Sequence, residues 1–78
     1  MKETILDAVN HVRTKNGLPP LNQFDPTARL REDIGLDSLD LAELTVRIEA
    51  ASGVDIFANR LVRTLGEIEA ELANGARS

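Results

Sequence analysis

The 78-residue chain contains no cysteine, only one histidine and no hydrophobic run long enough to cross a membrane. Without cysteine, a disulfide framework and cysteine-ligated metal sites are excluded. The first residues, MKETILD, carry acids where a secretory signal would be basic and then apolar. The apolar runs also fall far short of the roughly 20 residues that a membrane span needs. We therefore expect a cytoplasmic protein without a membrane partner.

Few residues of the chain could support catalysis. A hydrolytic serine needs a general base within hydrogen-bonding reach and an oxyanion hole. The only histidine, His11, lies in the middle of the first predicted helix and has no partner motif. The stretch GLDSL is not a nucleophile elbow, and neither a glycine-rich phosphate loop nor a spacing of metal ligands is present. We predict that the chain is not an enzyme, has no metal site and carries His11 on its surface.

Negative charge is concentrated in the middle of the chain. The whole chain has a net charge of −4, whereas residues 32–55 carry seven acids and one base, a net charge of −6. Such a strip repels nucleic acid and anionic lipid and attracts basic protein surfaces. A solvated helix face is the alternative explanation, and charge alone favours it.

Hydrophobic spacing predicts an all-α fold with three longer helices. Their expected bounds are residues 2–15, residue 37 or 38 to residue 52, and residues 64–74, the last opening with the capping box TLGE. The inward-facing residues recur at helical spacing: Ile5, Leu6, Val9 and Val12, then Leu41, Leu44, Ile48 and Ala51, then Leu65, Ile68 and Leu72.

Two connections complete the predicted fold, a small four-helix bundle that forms one domain over residues 1–78. The first, residues 17–36, is expected to be a packed loop with a short turn within residues 26–30. Its apolar anchors are Leu18, Leu21, Phe24, Leu30 and Ile34. In the second connection, Asp55 is placed to cap a short fourth helix over residues 56–61.

Ser38 is the most conspicuous hydroxyl of the chain. A serine before an apolar periodic run is usually the N-cap of a helix. Asp37 competes for this position, however, and with Asp40 at N3 it would form an acidic capping box. Ser38 would then be the first helical residue, with a hydroxyl that projects outward and is available for modification by another enzyme.

The run from Leu30 to Glu49, LREDIGLDSLDLAELTVRIE, resembles the phosphopantetheine attachment region of the acyl carrier proteins. That region has Asp-Leu/Ile-Gly-Leu-Asp-Ser-Leu before an amphipathic acidic helix, and looser similarity extends over nearly the whole chain. The resemblance implies that a phosphopantetheinyl transferase attaches 4'-phosphopantetheine from coenzyme A to Ser38, with support from Asp37. The thiol of this group would carry acyl groups as thioesters, so the carrier needs no cysteine.

The resemblance also implies a partner-binding face on the second helix. Enzymes that load and process acyl groups would dock on it through basic surfaces, and the carrier would be a monomer. The residues of this face are Leu39, Asp40, Glu43, Val46 and Arg47. Arg47 departs from the family, in which the face is mostly acidic or neutral. It is either an ion-pair partner of Glu43 or a residue that selects a dedicated enzyme.

The implied function is that of a discrete acyl carrier protein of fatty-acid, polyketide or other specialised acyl synthesis. One alternative is a free-standing aminoacyl or peptidyl carrier of non-ribosomal peptide chemistry. GLDSLD favours the acyl carrier, because peptidyl carriers more often have Gly-Gly-His or Gly-Gly-Asp before the serine. An alternative of a different class is an unmodified helical adaptor that binds partner proteins through the second helix.

Overall fold

The protein folds into three helices, as seen in a computed structural model that describes residues 2–58 and 61–75. In chain order they are α1 (Lys2–Lys15), α2 (Ser38–Ser52) and α3 (Leu65–Gly75). Within the described residues no strand forms, and the only β-type pairing is an isolated bridge between Arg29 and Thr64. The all-α prediction and the bounds of the three longer helices are confirmed. No helix in this part of the chain is long and apolar enough to span a membrane.

One hydrophobic core joins the helices and both connections. Leu44 and Ile48 of α2 pack in it with residues from α1, α3 and the loops. The other members of the core are Ile5, Ala8, Val9, Val12, Leu30, Ile34, Leu36, Ile56, Val62, Leu65, Ile68 and Leu72. Most of the predicted inward stripes are therefore buried, although Leu6 and Leu41 are only half-buried.

Ala51 was predicted to be buried, and this prediction is wrong because the residue is exposed. It lies near the end of α2 and lines an open groove between α1 and α2, together with Thr4, Asp7, Ala8 and His11 of α1 and Arg47 of α2. The helix stops at Gly53, which has a positive φ of 76° and donates its N–H to the Glu49 carbonyl at 2.7 Å. This is the αL ending that glycine favours.

The loop of residues 17–36 is packed, as predicted. Leu30 and Ile34 are buried and Leu21 and Phe24 are partly buried, whereas Leu18 lies at the surface. The predicted turn is also present, since the Ala28 N–H donates to the Asp25 carbonyl at 3.0 Å.

Three backbone hydrogen bonds fasten this loop to the start of α3. They run from Leu30 N to Arg63 O (2.8 Å), from Leu65 N to Ala28 O (3.1 Å) and from Gly66 N to Pro26 O (2.9 Å). A Cβ atom at Gly66 would lie 2.9 Å from the Pro26 carbonyl oxygen, so this close approach requires glycine. The loop that leads to α2 is therefore held by α3.

The predicted short fourth helix does not form in the described part of its segment. Asp55 accepts the Phe57 N–H at 3.0 Å through its side chain and the Ala58 N–H at 3.2 Å through its carbonyl, which closes a single turn. After residues 59 and 60, which lie outside the described residues, Leu61–Arg63 is not helical. The Arg63 carbonyl instead accepts the Leu30 N–H of the loop.

Candidate functional site

The start of α2 is an acidic capping box, as the sequence predicts. The Asp37 side chain accepts the Asp40 N–H at 2.8 Å, and the Asp40 side chain accepts the Asp37 N–H at 3.1 Å. Each carboxylate thereby satisfies a backbone donor that the first turn of a helix leaves without an intrahelical acceptor. Ser38 is consequently the first residue of α2, exposed and free of any capping role.

Replacement of Asp37 by alanine is expected to lower the free energy of unfolding by about 1 kcal/mol, because it removes this cap. Asp37→Asn should lower it less, since an amide oxygen also accepts the Asp40 N–H. Glu49→Ala provides the control, because it removes the same charge from an exposed position of α2 that has no capping role. Chemical denaturation of the three variants measures the difference. Equal losses for Asp37→Ala and Glu49→Ala would show that charge, not the cap, is responsible.

The Ser38 hydroxyl has one side-chain contact, which the sequence did not indicate. Arg31, on the loop before α2, donates from Nη2 to Ser38 Oγ at 2.7 Å. The loop folds back between these two residues, as shown by the hydrogen bond from Leu36 N to the Leu30 carbonyl at 3.0 Å. The only sequence signal for this contact was a basic residue next to the buried Leu30, which is too general to predict a neighbour.

Arg31, the residue that contacts Ser38, also lines a groove of about 370 Å³. It lines this groove together with Leu41 of α2 and Leu61, Val62 and Arg63 of the second connection. Arg29, Leu30 and Glu32 complete the lining, so the wall combines apolar side chains with three guanidinium groups and one carboxylate.

The predicted partner-binding face divides into two parts in the structure. Leu39 and Val46 are 80% and 65% exposed, so both apolar side chains lie at the surface of α2. Asp40 and Glu43 are half-buried, and they lie at the edge of α2 next to α1.

The three charged residues of the face contact α1. Asn16 Nδ2 donates to Asp40 Oδ1 (3.0 Å), Lys15 Nζ pairs with Glu43 Oε1 (2.6 Å), and Arg47 Nη2 lies 2.6 Å from His11 Nε2. These three side chains of the predicted face are therefore engaged within the chain, because α1 and Asn16 lie along that edge of α2. The predicted Glu43–Arg47 pair is present at 3.1 Å, and His11 is on the surface as predicted.

These contacts lower the pKa of two acids of α2. The hydrogen bond from Asn16, followed by that from the Asp37 backbone, lowers the pKa of Asp40 below its ordinary value of 3.8. Hydrogen bonds from Lys15 and Arg47 lower the pKa of Glu43 below 4.5. Near neutral pH, negative charge is thus fixed within the first two turns of α2, close to Ser38 and beside the exposed Leu39.

The described part of the chain offers few residues for catalysis or metal binding near Ser38. No group of three or more histidines, cysteines or acids there could hold a metal ion. His11 contacts Arg47, and no hydrogen bond joins it to Ser38. Asp37 and Asp40 are both engaged in the capping box. What this site offers chemically is an accessible hydroxyl at the positive end of a helix, next to a guanidinium.

Comparison with known proteins identifies the family of the chain. The model of the phosphopantetheine attachment site matches residues 8–72, which include the whole of α2 and both connections. The chain belongs to the acyl carrier proteins, whose attachment site carries phosphopantetheine. Members of this family are carriers of bound intermediates, not catalysts, so the chain is not an enzyme.

Relatives of known identity support the same family. The chain is 32% identical over 69 residues to an acyl carrier protein of Saccharopolyspora erythraea, an alignment that covers 86% of this chain and 73% of the relative. It is 42% identical over 55 residues to the acyl carrier protein MbtL of Mycobacterium bovis, covering 68% of this chain and 66% of that protein. MbtL of Mycobacterium tuberculosis aligns equally well. No solved structure matches the chain significantly.

The residues around Ser38 fit the phosphopantetheine group. Its phosphodiester is an anion, and helix N-termini favour anions through free backbone N–H groups and the helix dipole. The capping box satisfies the N–H groups of Asp37 and Asp40 and leaves those of Ser38 and Leu39 at the end of the helix. Arg31 adds a positive charge at the serine oxygen itself. The assignment of Ser38 as the attachment residue stays a prediction.

Proposed function

We propose that the chain is a discrete acyl carrier protein in which Ser38 carries the 4'-phosphopantetheine group. In this proposal it presents acyl intermediates to the enzymes of fatty-acid, polyketide or a related specialised acyl synthesis. The observation that carries the proposal is the exposed hydroxyl of Ser38 at the first residue of α2, which Asp37 relieves of the capping role. Family membership supports it, because phosphopantetheine attachment is what that family shares.

The residues of the chain then have distinct roles. On the transferase, the Ser38 oxygen would bond to the phosphorus of the phosphopantetheine half of coenzyme A and lose its proton. The phosphoanhydride bond of coenzyme A would break, and adenosine 3',5'-bisphosphate would leave. The N–H groups at the start of α2 favour the resulting anion. Asp37 holds the first turn in place, and we propose that it also supports attachment within the transferase. The bound group supplies a terminal thiol, on which acyl groups are carried as thioesters.

The proposed partners are a phosphopantetheinyl transferase and acyl-loading and acyl-processing enzymes with basic docking surfaces. Leu39 and Val46 supply the apolar centre of the docking surface on α2, and the ionised Asp40 and Glu43 supply the charge at its edge. Complementary charge accelerates encounter and favours the correct partner. The proposal includes a monomeric carrier, one domain over residues 1–78 and a cytoplasmic location.

An aminoacyl or peptidyl carrier is the second candidate, and an unmodified adaptor is the third. The named relatives are both acyl carrier proteins, which favours an acyl cargo. To separate the classes, the purified chain is incubated with coenzyme A and a transferase of broad specificity, and its intact mass is measured. Protein purified from the native host is measured in the same way. A mass increase of one phosphopantetheine supports a carrier, whereas its absence from both samples supports the adaptor.

The cargo requires a second measurement on the modified protein. An acyltransferase that uses acyl-coenzyme A and an adenylating enzyme that activates amino acids are compared as loading enzymes. Thioester formation with the first alone supports an acyl carrier, and formation with the second alone supports the aminoacyl or peptidyl carrier. Neighbouring genes that encode a ketosynthase or an adenylation enzyme distinguish the same two candidates.

Arg47 provides a prediction about partner choice. It is 40% exposed and contacts both Glu43 and His11, so replacing it by alanine removes a positive charge from the edge of the docking surface. If Arg47 selects a dedicated enzyme, Arg47→Ala should gain turnover with a housekeeping fatty-acid synthase and lose it with the dedicated enzyme. Steady-state turnover of both enzymes with both carriers checks this. Equal, small changes would leave Arg47 as a surface ion-pair partner, which contributes little.

A further inference from the structure

Arg31 has a positive charge that no acid of the described chain neutralises by a direct ion pair. The two acids that follow it, Glu32 and Asp33, pair with Arg29 at 3.5 and 3.1 Å. Asp33 is also fixed by the Arg29 N–H, which donates to its Oδ2 at 2.8 Å. Arg31 instead directs its guanidinium to Ser38 Oγ at 2.7 Å. A cation is therefore held at the one atom where the proposed modification takes place.

The surroundings of Ser38 are otherwise negative. Asp37 precedes it and Asp40, whose pKa lies below 3.8, follows two residues later, and the capping box holds both carboxylates at the first turn of α2. A phosphodiester on Ser38 would add a further negative charge at this point. Like charges at such short range repel. The helix terminus offsets part of this repulsion, and Arg31 is the side chain placed to offset more.

We propose that Arg31 is a positioning residue for the phosphodiester on Ser38. After attachment, its guanidinium would contact the non-bridging phosphate oxygens, a geometry that suits the planar arrangement of its N–H donors. Arg31 also lines the groove of about 370 Å³. Its contact with the phosphate would therefore orient the start of the phosphopantetheine group toward that groove. This inference rests on the proposed function, namely that Ser38 is the attachment site.

Because of this contact, attachment of phosphopantetheine should stabilise the protein more when Arg31 is present than when it is replaced. Exposed ion pairs are individually weak, so the expected effect is a small shift in Tm. We expect the difference in Tm between modified and unmodified protein to be about 2–4 °C larger in the wild type than in Arg31→Gln at low salt. We call this additional Tm difference of the wild type over Arg31→Gln the excess in Tm. It should decline toward zero near 1 M salt, where charges are screened over about 3 Å.

The experiment uses the full chain in its unmodified and enzymatically modified forms, with the mass of each confirmed. Tm is measured for the wild type, Arg31→Gln, Arg31→Lys and Arg63→Gln, and the ³¹P NMR spectrum is recorded for each modified form. Arg63→Gln is the matched control, because Arg63 lines the same groove and the change removes the same charge. Arg31→Gln should change the ³¹P chemical shift and lose the excess in Tm. Arg63→Gln should preserve both, and Arg31→Lys should retain most of the excess.

Failure of this inference is distinguishable from failure of the proposed function. If the wild type acquires no phosphopantetheine, or acquires it elsewhere than on Ser38, the proposed function fails and the role of Arg31 falls with it. If Ser38 is modified but Arg31→Gln matches the wild type in the ³¹P shift and in the Tm difference, only the role of Arg31 is overturned. The role of Arg31 is also overturned if Arg31→Gln and Arg63→Gln lose the excess in Tm equally. Removal of any positive charge near the groove would then explain the effect.

Discussion

Replacement of Ser38 by alanine is expected to abolish attachment of phosphopantetheine and leave the fold intact. The variant loses the only oxygen at this position that can be esterified, so no residual modification is expected. Its free energy of unfolding should change by less than about 0.5 kcal/mol, since Asp37 still caps the helix and the lost contact with Arg31 is exposed. Intact mass after incubation with coenzyme A and the transferase measures attachment, and thermal unfolding measures the fold.

Ser52→Ala is the matched control for this variant. Ser52 is the last residue of α2 and is also exposed, but its hydroxyl donates to the Ile48 carbonyl at 2.6 Å. The control should be modified as completely as the wild type. Modification of Ser38→Ala at the rate of the wild type would disprove the assignment of the site, as would loss of modification in Ser52→Ala with its fold retained.

Leu44→Ala should cause the largest loss of stability among the variants considered, about 2–5 kcal/mol. Leu44 is fully buried in the core between the helices, so removal of its side-chain atoms leaves a cavity. For a domain of this size the loss is a large part of the total free energy of unfolding. Denaturant titration followed by circular dichroism measures the loss.

The same substitution at Leu39 separates folding from docking on one helix. Leu39 is 80% exposed, so Leu39→Ala should change the free energy of unfolding by no more than about 0.5 kcal/mol. Under the proposed function it should weaken binding to the transferase, because it removes apolar contact area at the centre of the docking surface. Destabilisation of Leu39→Ala as large as that of Leu44→Ala would contradict the burial described here. Unchanged transferase binding would locate docking elsewhere.

Local signals explain why much of the fold was predictable from the sequence. The capping boxes at Asp37 and Thr64 each depend on residues only three positions apart, and both form as predicted. Glycines stop the first two helices where expected because the αL conformation favours them. The position of Ser38 as the first residue of α2 followed from the same local competition with Asp37.

Long-range placement explains what was missed. The periodicity of α2 separates its buried side from its exposed side, but it does not show that α1 runs along the edge with Glu43 and Arg47. It likewise does not show that Arg31 returns to Ser38 or that Ala51 lies in an open groove between α1 and α2. In the described part of the expected fourth helix only a single turn forms after Asp55. The other outcomes depend on which segments meet.

The attachment of the loop to α3 has a consequence for biosynthesis. Local turns of helix form in under a microsecond, whereas contacts between distant segments require chain closure and form later. Leu30 bonds to Arg63, and Ala28 to Leu65, so the loop that carries Arg31 cannot reach its native position before the start of α3 has been synthesised. We therefore expect the transferase to modify chains in which α3 has been synthesised, and not nascent chains that still lack α3.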